Sequence, residues 1–197
     1  SFYSPSYRYR GFHIDCVRHF VSVEELKRLI DAMSLVGYNY FHWHLTDDQG
    51  WRFAVPGYDR LETISSTRYI YDNNDQKHVH KGFYSREDLE AIEEFSKERG
   101  ITVIPEMETP GHAEALLSAY PEFGCTGKEI PVQNNWGVFE NVMNPSSPEL
   151  WVFLEKAIAE LASVFHGPFI HIGGDECPHK QWEDHQGCRK IMEEYGL

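Results

Sequence analysis

The chain has 197 residues, enough for one domain with a substantial core. Hydrophobic residues make up 41% and charged residues 25%, the balance of a soluble globular protein, and no apolar run approaches the roughly 20 residues of a bilayer span. The net charge of -13 argues against nucleic acid and anionic membrane surfaces as partners, because both require basic footprints; it suits an enzyme acting on a neutral or cationic small molecule.

The chain opens on Ser1-Phe2-Tyr3-Ser4-Pro5, without the basic start and apolar stretch of a signal peptide. Residues 11–16 then read as a strand. Ser22 opens a helix with Glu25 three residues on, a capping box, and Leu26, Leu29, Ile30 and Met33 recur at helical spacing until Gly37. Residues 38–44 form the second expected strand, and a long polar loop occupies 46–84. Ser85 caps the next helix, with Asp88 three residues later and Leu89, Ile92 and Phe95 as its stripe; Gly100 ends it. The β-branched run 101–104 is a third strand. A short helix is expected near Gly111 and an irregular segment over 120–144. Ser147-Pro148 opens a long helix with proline at its favoured first position, a stripe of Leu150, Leu154, Ile158 and Leu161, and a stop at Gly167. Residues 169–172 read as a fourth strand, and a last helix runs from about Trp182.

This alternation predicts an α/β fold whose near-continuous apolar strands lie in a parallel sheet covered by helices. No repeat or linker divides 1–197. The four cysteines, Cys16, Cys125, Cys177 and Cys188, form no C-x-x-C pair, which disfavours a thiolate zinc site. Cys177 and Cys188 are either free thiols or a pair bridging a loop.

Ionisable residues cluster just past the carboxyl ends of the expected strands. Arg18 and His19 follow the first. His42, His44, Asp47 and Asp48 end or follow the second. Glu106, Glu108 and His112 follow the third, and Asp175 and Glu176 the fourth. That rim is where α/β barrels and open sheets build their sites. In His171-Ile172-Gly173-Gly174-Asp175-Glu176 two glycines strip away side chains before adjacent carboxylates, a pattern suited to a pocket floor, and carboxylate pairs are the working groups of glycoside hydrolysis.

Four segments carry a family resemblance. RGFHID at 10–15 with Arg18-His19-Phe20, HWHLTDDQGWR at 42–52, PEMETPGHA at 105–113 and HIGGDE at 171–176 resemble, in order, the strand motifs of glycoside hydrolase family 20, the β-N-acetylhexosaminidases. The resemblance implies a TIM-type (β/α)8 barrel of which this chain, over 1–197, supplies about four of eight βα units as an N-terminal half-barrel. It implies retaining hydrolysis of terminal β-linked N-acetylglucosamine or N-acetylgalactosamine, with the substrate's 2-acetamido oxygen as nucleophile. Glu176 is then the general acid and base, and Asp175 orients the acetamido group. Arg18 clamps sugar hydroxyls, Asp47 and His112 form a polar relay, and Trp182 is a pocket wall. No metal and no cofactor are implied. The expected partners are an N-acetylhexosamine-terminated glycan and whatever closes the barrel, either a second copy in a homodimer or the missing C-terminal half; alone the chain is expected to be weakly active or inactive. A secreted or cell-surface location follows from the resemblance only. The family carries Asp where this chain has Glu108.

Two other readings remain at this stage. His42-x-His44 with His112 and Asp175 resembles the ligand set of a metal-dependent hydrolase. The chain also fits a non-catalytic, sugar-binding half-domain.

Overall fold

A computed structural model describes residues 5–71 and 73–197; residues 1–4, where the signal-peptide reading begins, lie outside the described residues. Three strands, β1 (Gly11–Asp15), β2 (Tyr40–His44) and β7 (Thr102–Glu106), form a parallel sheet in the order β1-β2-β7. The expected fourth strand contracts to one parallel bridge, Glu106 to His171. Its backbone still pairs with the β7 end: His171 N–H donates to Pro105 O at 2.9 Å, and Met107 and Thr109 N–H donate to His171 and Ile172 O at 3.0 Å each. Among the described residues it has a neighbour on one side only. Gly173 and Gly174 then turn the chain away, at φ values of +68° and +109°.

Helix boundaries follow the capping chemistry. Ser22 and Glu25 close a reciprocal box on α1 (Val23–Leu35), and Ser85 and Asp88 do the same on α2 (Arg86–Glu98). Ser147 caps α4 (Pro148–Val164), with Pro148 at its first position. The short helix α3 begins at Glu114 and ends at Ala119. The expected last helix is two, α5 (Lys180–Asp184) and α6 (Gln186–Tyr195). His185 leaves helical geometry between them, and its ring accepts from Cys188 N–H.

The segment expected as a loop over 46–84 carries structure. It holds the hairpins β3 (Thr46–Asp47) to β4 (Gly50–Trp51) and β5 (Thr67–Tyr71) to β6 (Lys77–Lys81), with a wide helical turn at Leu61–Ser65. Arg52 organises them. Its guanidinium is fully buried and donates to the carbonyls of Cys16, Val17, Ser66 and Gly82, tying the β1 turn to both ends of the second hairpin. Burial lowers its pKa to about 10.

The strands are two-faced rather than continuously apolar. Phe41 and Trp43 are fully buried in the core beside Tyr84 and Phe165. Successive strand residues point to opposite faces, so His42 and His44 face the other way. Register places His13, His42 and Ile104 in one row and Asp15, His44, Glu106 and His171 in the next. Helix α4 is likewise two-sided. Leu150, Phe153, Ala157, Leu161 and Val164 enter the core, whereas Leu154 and Ile158, read in the sequence as part of the buried stripe, line an open apolar cavity of about 880 Å³ with α6. All four cysteines are free thiols.

Candidate active site

The row of polar side chains across the strand ends assembles the site. Asp15 ends β1 and turns the chain, its Oδ1 accepting from Val17 and Arg18 N–H at 2.9 and 3.0 Å. The turn delivers the Arg18 guanidinium to Asp15 Oδ2 at 2.9 Å, Asp47 Oδ2 at 2.6 Å and Gln49 Oε1 at 2.6 Å. The exposed indole of Trp136 lies 5.0 Å from the guanidinium carbon. Arg18 is therefore fixed in place by three acceptors.

Asp47 is the junction. Its Oδ2 meets Arg18 and also His44 Nε2 at 2.7 Å; its Oδ1 accepts from Asp48 N–H at 2.7 Å and lies 3.2 Å from His112 Nδ1. Asp48, almost wholly buried, lies 3.0 Å from the same His112 nitrogen and accepts the Glu114 N–H at 3.2 Å. On its other side, His112 Nε2 lies 3.8 Å from Asp175 Oδ2 and 3.6 Å from Glu176 Oε2. His112 thus ties the buried pair to the candidate acids. It adopts φ +48°, and Glu176 φ +47°, a left-handed region uncommon for residues with a side chain. Such backbone concentrates at working sites.

Electrostatics follow this wiring. Hydrogen bonds to Asp47 and Asp48 outweigh burial and push His112 up to about 11. Burial acts against a charged His44, yet Asp47 and Glu106 outweigh it and raise that ring to about 9. Burial also opposes ionisation of Asp47, but His112, His44 and Arg18 hold its carboxyl well below the usual carboxylate range. Glu108 goes the other way. Burial, with Glu106 and Asp175 beside it, pushes its carboxyl up to about 8. The Glu108 carboxyl lies against Gly173, where an added Cβ would collide with Glu108 Oε2.

The candidate residues separate into groups. Arg18, Asp47, His112, Asp175 and Glu176 form one connected set, although Arg18 reaches the acids through Asp47 and His112 rather than directly. The acid side chains are 66% and 59% exposed for Asp175 and Glu176. Trp182 lies apart from this set: its indole N–H donates to Met143 O at 2.9 Å, and its ring lines the apolar cavity. The metal-hydrolase set is not gathered. Among the described residues, His42 groups with Glu106 and His171, while His112 groups with the acids, and both ring nitrogens of His44 are taken by Asp47 and Glu106. The sequence alone assigned no role to Asp15, Asp48, Gln49 or Glu106, which pack against Arg18, His112 and His44. The His-Trp-His alternation was the available signal, since it places two histidines on one face of β2.

Ionisable side chains at the carboxyl ends of parallel strands, with a carboxylate pair on a glycine turn, make this an α/β domain that carries its polar cluster on the rim where such folds place their sites. The family comparison makes this specific. The catalytic domain of glycosyl hydrolase family 20 matches residues 7–197. The chain belongs to that family. It is 42% identical over 193 residues to a beta-hexosaminidase of Porphyromonas gingivalis, covering 98% of this chain and 24% of that protein. Among solved structures, a beta-N-acetylhexosaminidase superposes with a TM-score of 0.93 at 37% identity, over 98% of this chain and 41% of the other. An exo beta-N-acetylglucosaminidase from Vibrio harveyi, in complex with N-acetylglucosamine, gives a TM-score of 0.83 at 35% identity, over 98% and 31%. The chain therefore spans a quarter to two-fifths of these relatives and matches a portion of the family's catalytic domain.

Proposed function

We propose that this chain is the acid-bearing N-terminal half-barrel of a β-N-acetylhexosaminidase that removes terminal β-linked N-acetylglucosamine or N-acetylgalactosamine with retention. Glu176 donates its proton to the glycosidic oxygen as the bond to the anomeric carbon breaks. The substrate's acetamido oxygen attacks that carbon from the opposite face and forms an oxazolinium intermediate. Asp175 accepts a hydrogen bond from the acetamido N–H and offsets the positive charge that develops there. Glu176, now a carboxylate, takes a proton from water, which opens the ring and restores the original configuration. Arg18 clamps sugar hydroxyls with the N–H groups left free by its three acceptors.

The observation that supports this reading most directly is His112, whose Nδ1 is held by buried Asp47 and Asp48 while its Nε2 faces both Asp175 and Glu176. Held up to about 11, His112 stays protonated at neutral pH. It acts as a fixed cation that positions the acids, not as a proton shuttle. Further barrel strands close the sheet, supplied by additional polypeptide of the length the relatives possess or by a second copy of this chain.

Turnover of a chromogenic N-acetylglucosaminide tests the proposal. Glu176→Gln should lower kcat by more than about a hundredfold, the span of a general acid. Substrates whose acetamido group carries successive fluorines should react progressively more slowly, because fluorine weakens the attacking oxygen. Sugar binding without turnover, unaffected by Glu176→Gln, would leave the non-catalytic sugar-binding reading instead.

A further inference from the structure

We propose that His42, Glu106 and His171 bind one divalent transition-metal ion of the zinc class. None of the acid pair is a ligand, and the site goes beyond the hydrolytic reading.

The sheet builds this cluster by register. His13 and His42 are partners across β1 and β2, and Glu106 and His171 are partners across the parallel bridge. The His42 ring packs 4.6 Å from His13 and 4.8 Å from His171, centroid to centroid. Glu106 sits among them, with Oε2 at 2.8 Å from His42 Nε2 and Oε1 at 2.8 Å from His171 Nδ1. The three ligand atoms lie within 4.8 Å of one another. Tetrahedral zinc, with bonds of about 2.1 Å, sets its ligand atoms about 3.4 Å apart, so small adjustments suffice.

Two features separate this cluster from a plain histidine–carboxylate pair. His42 Nε2 is buried and close to Glu106, yet makes no aligned hydrogen bond. A nitrogen near a carboxylate but not aimed at it has the geometry of two ligands around a shared centre, and a bound ion is one of the ways such a buried polar atom is satisfied. His171 Nδ1 accepts the Gly173 N–H at 3.1 Å. In that tautomer Nδ1 is unprotonated, the form a metal ligand needs, with Glu106 Oε1 2.8 Å away; a metal bound there takes over the lone pair that the Gly173 N–H holds. Imidazole with carboxylate is a donor set suited to zinc, copper or nickel. His44 is excluded as a ligand, since Asp47 and Glu106 occupy its two nitrogens; it orients Glu106 from outside. His13, half exposed and 3.8 Å from Glu106 Oε2, groups with Glu106 and His44 rather than with His42 and His171, so water completes the coordination of the ion.

Calorimetric titration of the purified chain with zinc chloride should give one site. Replacing His42 and His171 together by Gln should weaken binding by more than about tenfold, the loss seen even for outer-shell partners. His179→Gln, a control on an exposed histidine paired with Glu183, should leave binding unchanged. No binding, or equal binding by the double variant, overturns the site. Should the double variant fail to fold, imidazole nitrogen shifts in the wild-type chain decide: zinc must move those of His42 and His171, and unmoved signals overturn the proposal. These readouts need no turnover, so their failure is distinct from failure of the hydrolytic reading.

Discussion

His112 sits between two pairs of carboxyl groups, and only one pair is buried. Removing its ring leaves Asp47 and Asp48 facing each other without their shared cation, although Arg18 and His44 still serve Asp47. A broken buried charge pair costs about 3 kcal/mol, and His112→Ala should lose about that much. The loss depends on pH in a defined way. His112 is raised to about 11 in the fold against 6.5 unperturbed, so its stabilisation is complete below 6.5 and declines as pH rises toward 11. Asp47 is lowered, so its share is complete above its ordinary value of 3.8 and vanishes as pH falls below it. The gap between wild type and His112→Ala, measured by urea unfolding, should therefore be widest between these ordinary values and narrow steadily into alkaline solution. A gap that does not change with pH would mean that His112 acts by packing alone.

The glycine turn after His171 joins strand geometry to the candidate acids. Gly173 has φ +68°, and a Cβ there would collide with the Glu108 carboxyl. Gly173→Ala should destabilise the chain by at least about 1 to 2 kcal/mol from the left-handed backbone alone, and it should displace Asp175 and Glu176 together. The double change Gly173→Ala with Glu108→Ala should recover the steric part while keeping the backbone part. Thermal unfolding of the two variants reads this directly; equal melting points would show that the Glu108 contact contributes nothing.

The same segment shows what could be read from the chain and what could not. Helix starts at Ser22, Ser85 and Ser147 were legible because the capping side chain and its partner lie three residues apart. The grouping of Arg18, Asp47, His112, Asp175 and Glu176 was legible because each follows a strand end. Glu106 was not assigned a role, because its partners come from three other strand segments and meet only through register. The hairpins within 46–84 were missed because they are held by Arg52, a charged side chain used as an internal tie between carbonyls. Local sequence gives no cue for that use.

The whole molecule is unevenly finished. Helix α4 buries Phe153 and Ala157 in the core, yet Leu154 and Ile158 face a cavity that Ile172, Trp182, Ile191 and Met192 complete. Among the described residues, β1 has a paired neighbour on one side only, as does the segment at His171. Apolar surface this continuous marks a contact area, and unpaired strand edges invite another strand. The matched portion is 24% of one relative and 41% of another, so further polypeptide is the simpler cover; the high net negative charge also opposes pairing of two like chains. These effects make opposite predictions in salt. If a second copy closes the sheet, sedimentation should show dimer growing with ionic strength as repulsion is screened, over a Debye length of about 10 Å at 0.1 M. Ile158→Glu should then return the chain to monomer without loss of helix, since Ile158 is 39% exposed and outside the core. A monomer at every salt concentration, with its cavity binding an apolar dye, removes the second copy and leaves additional barrel strands as the cover.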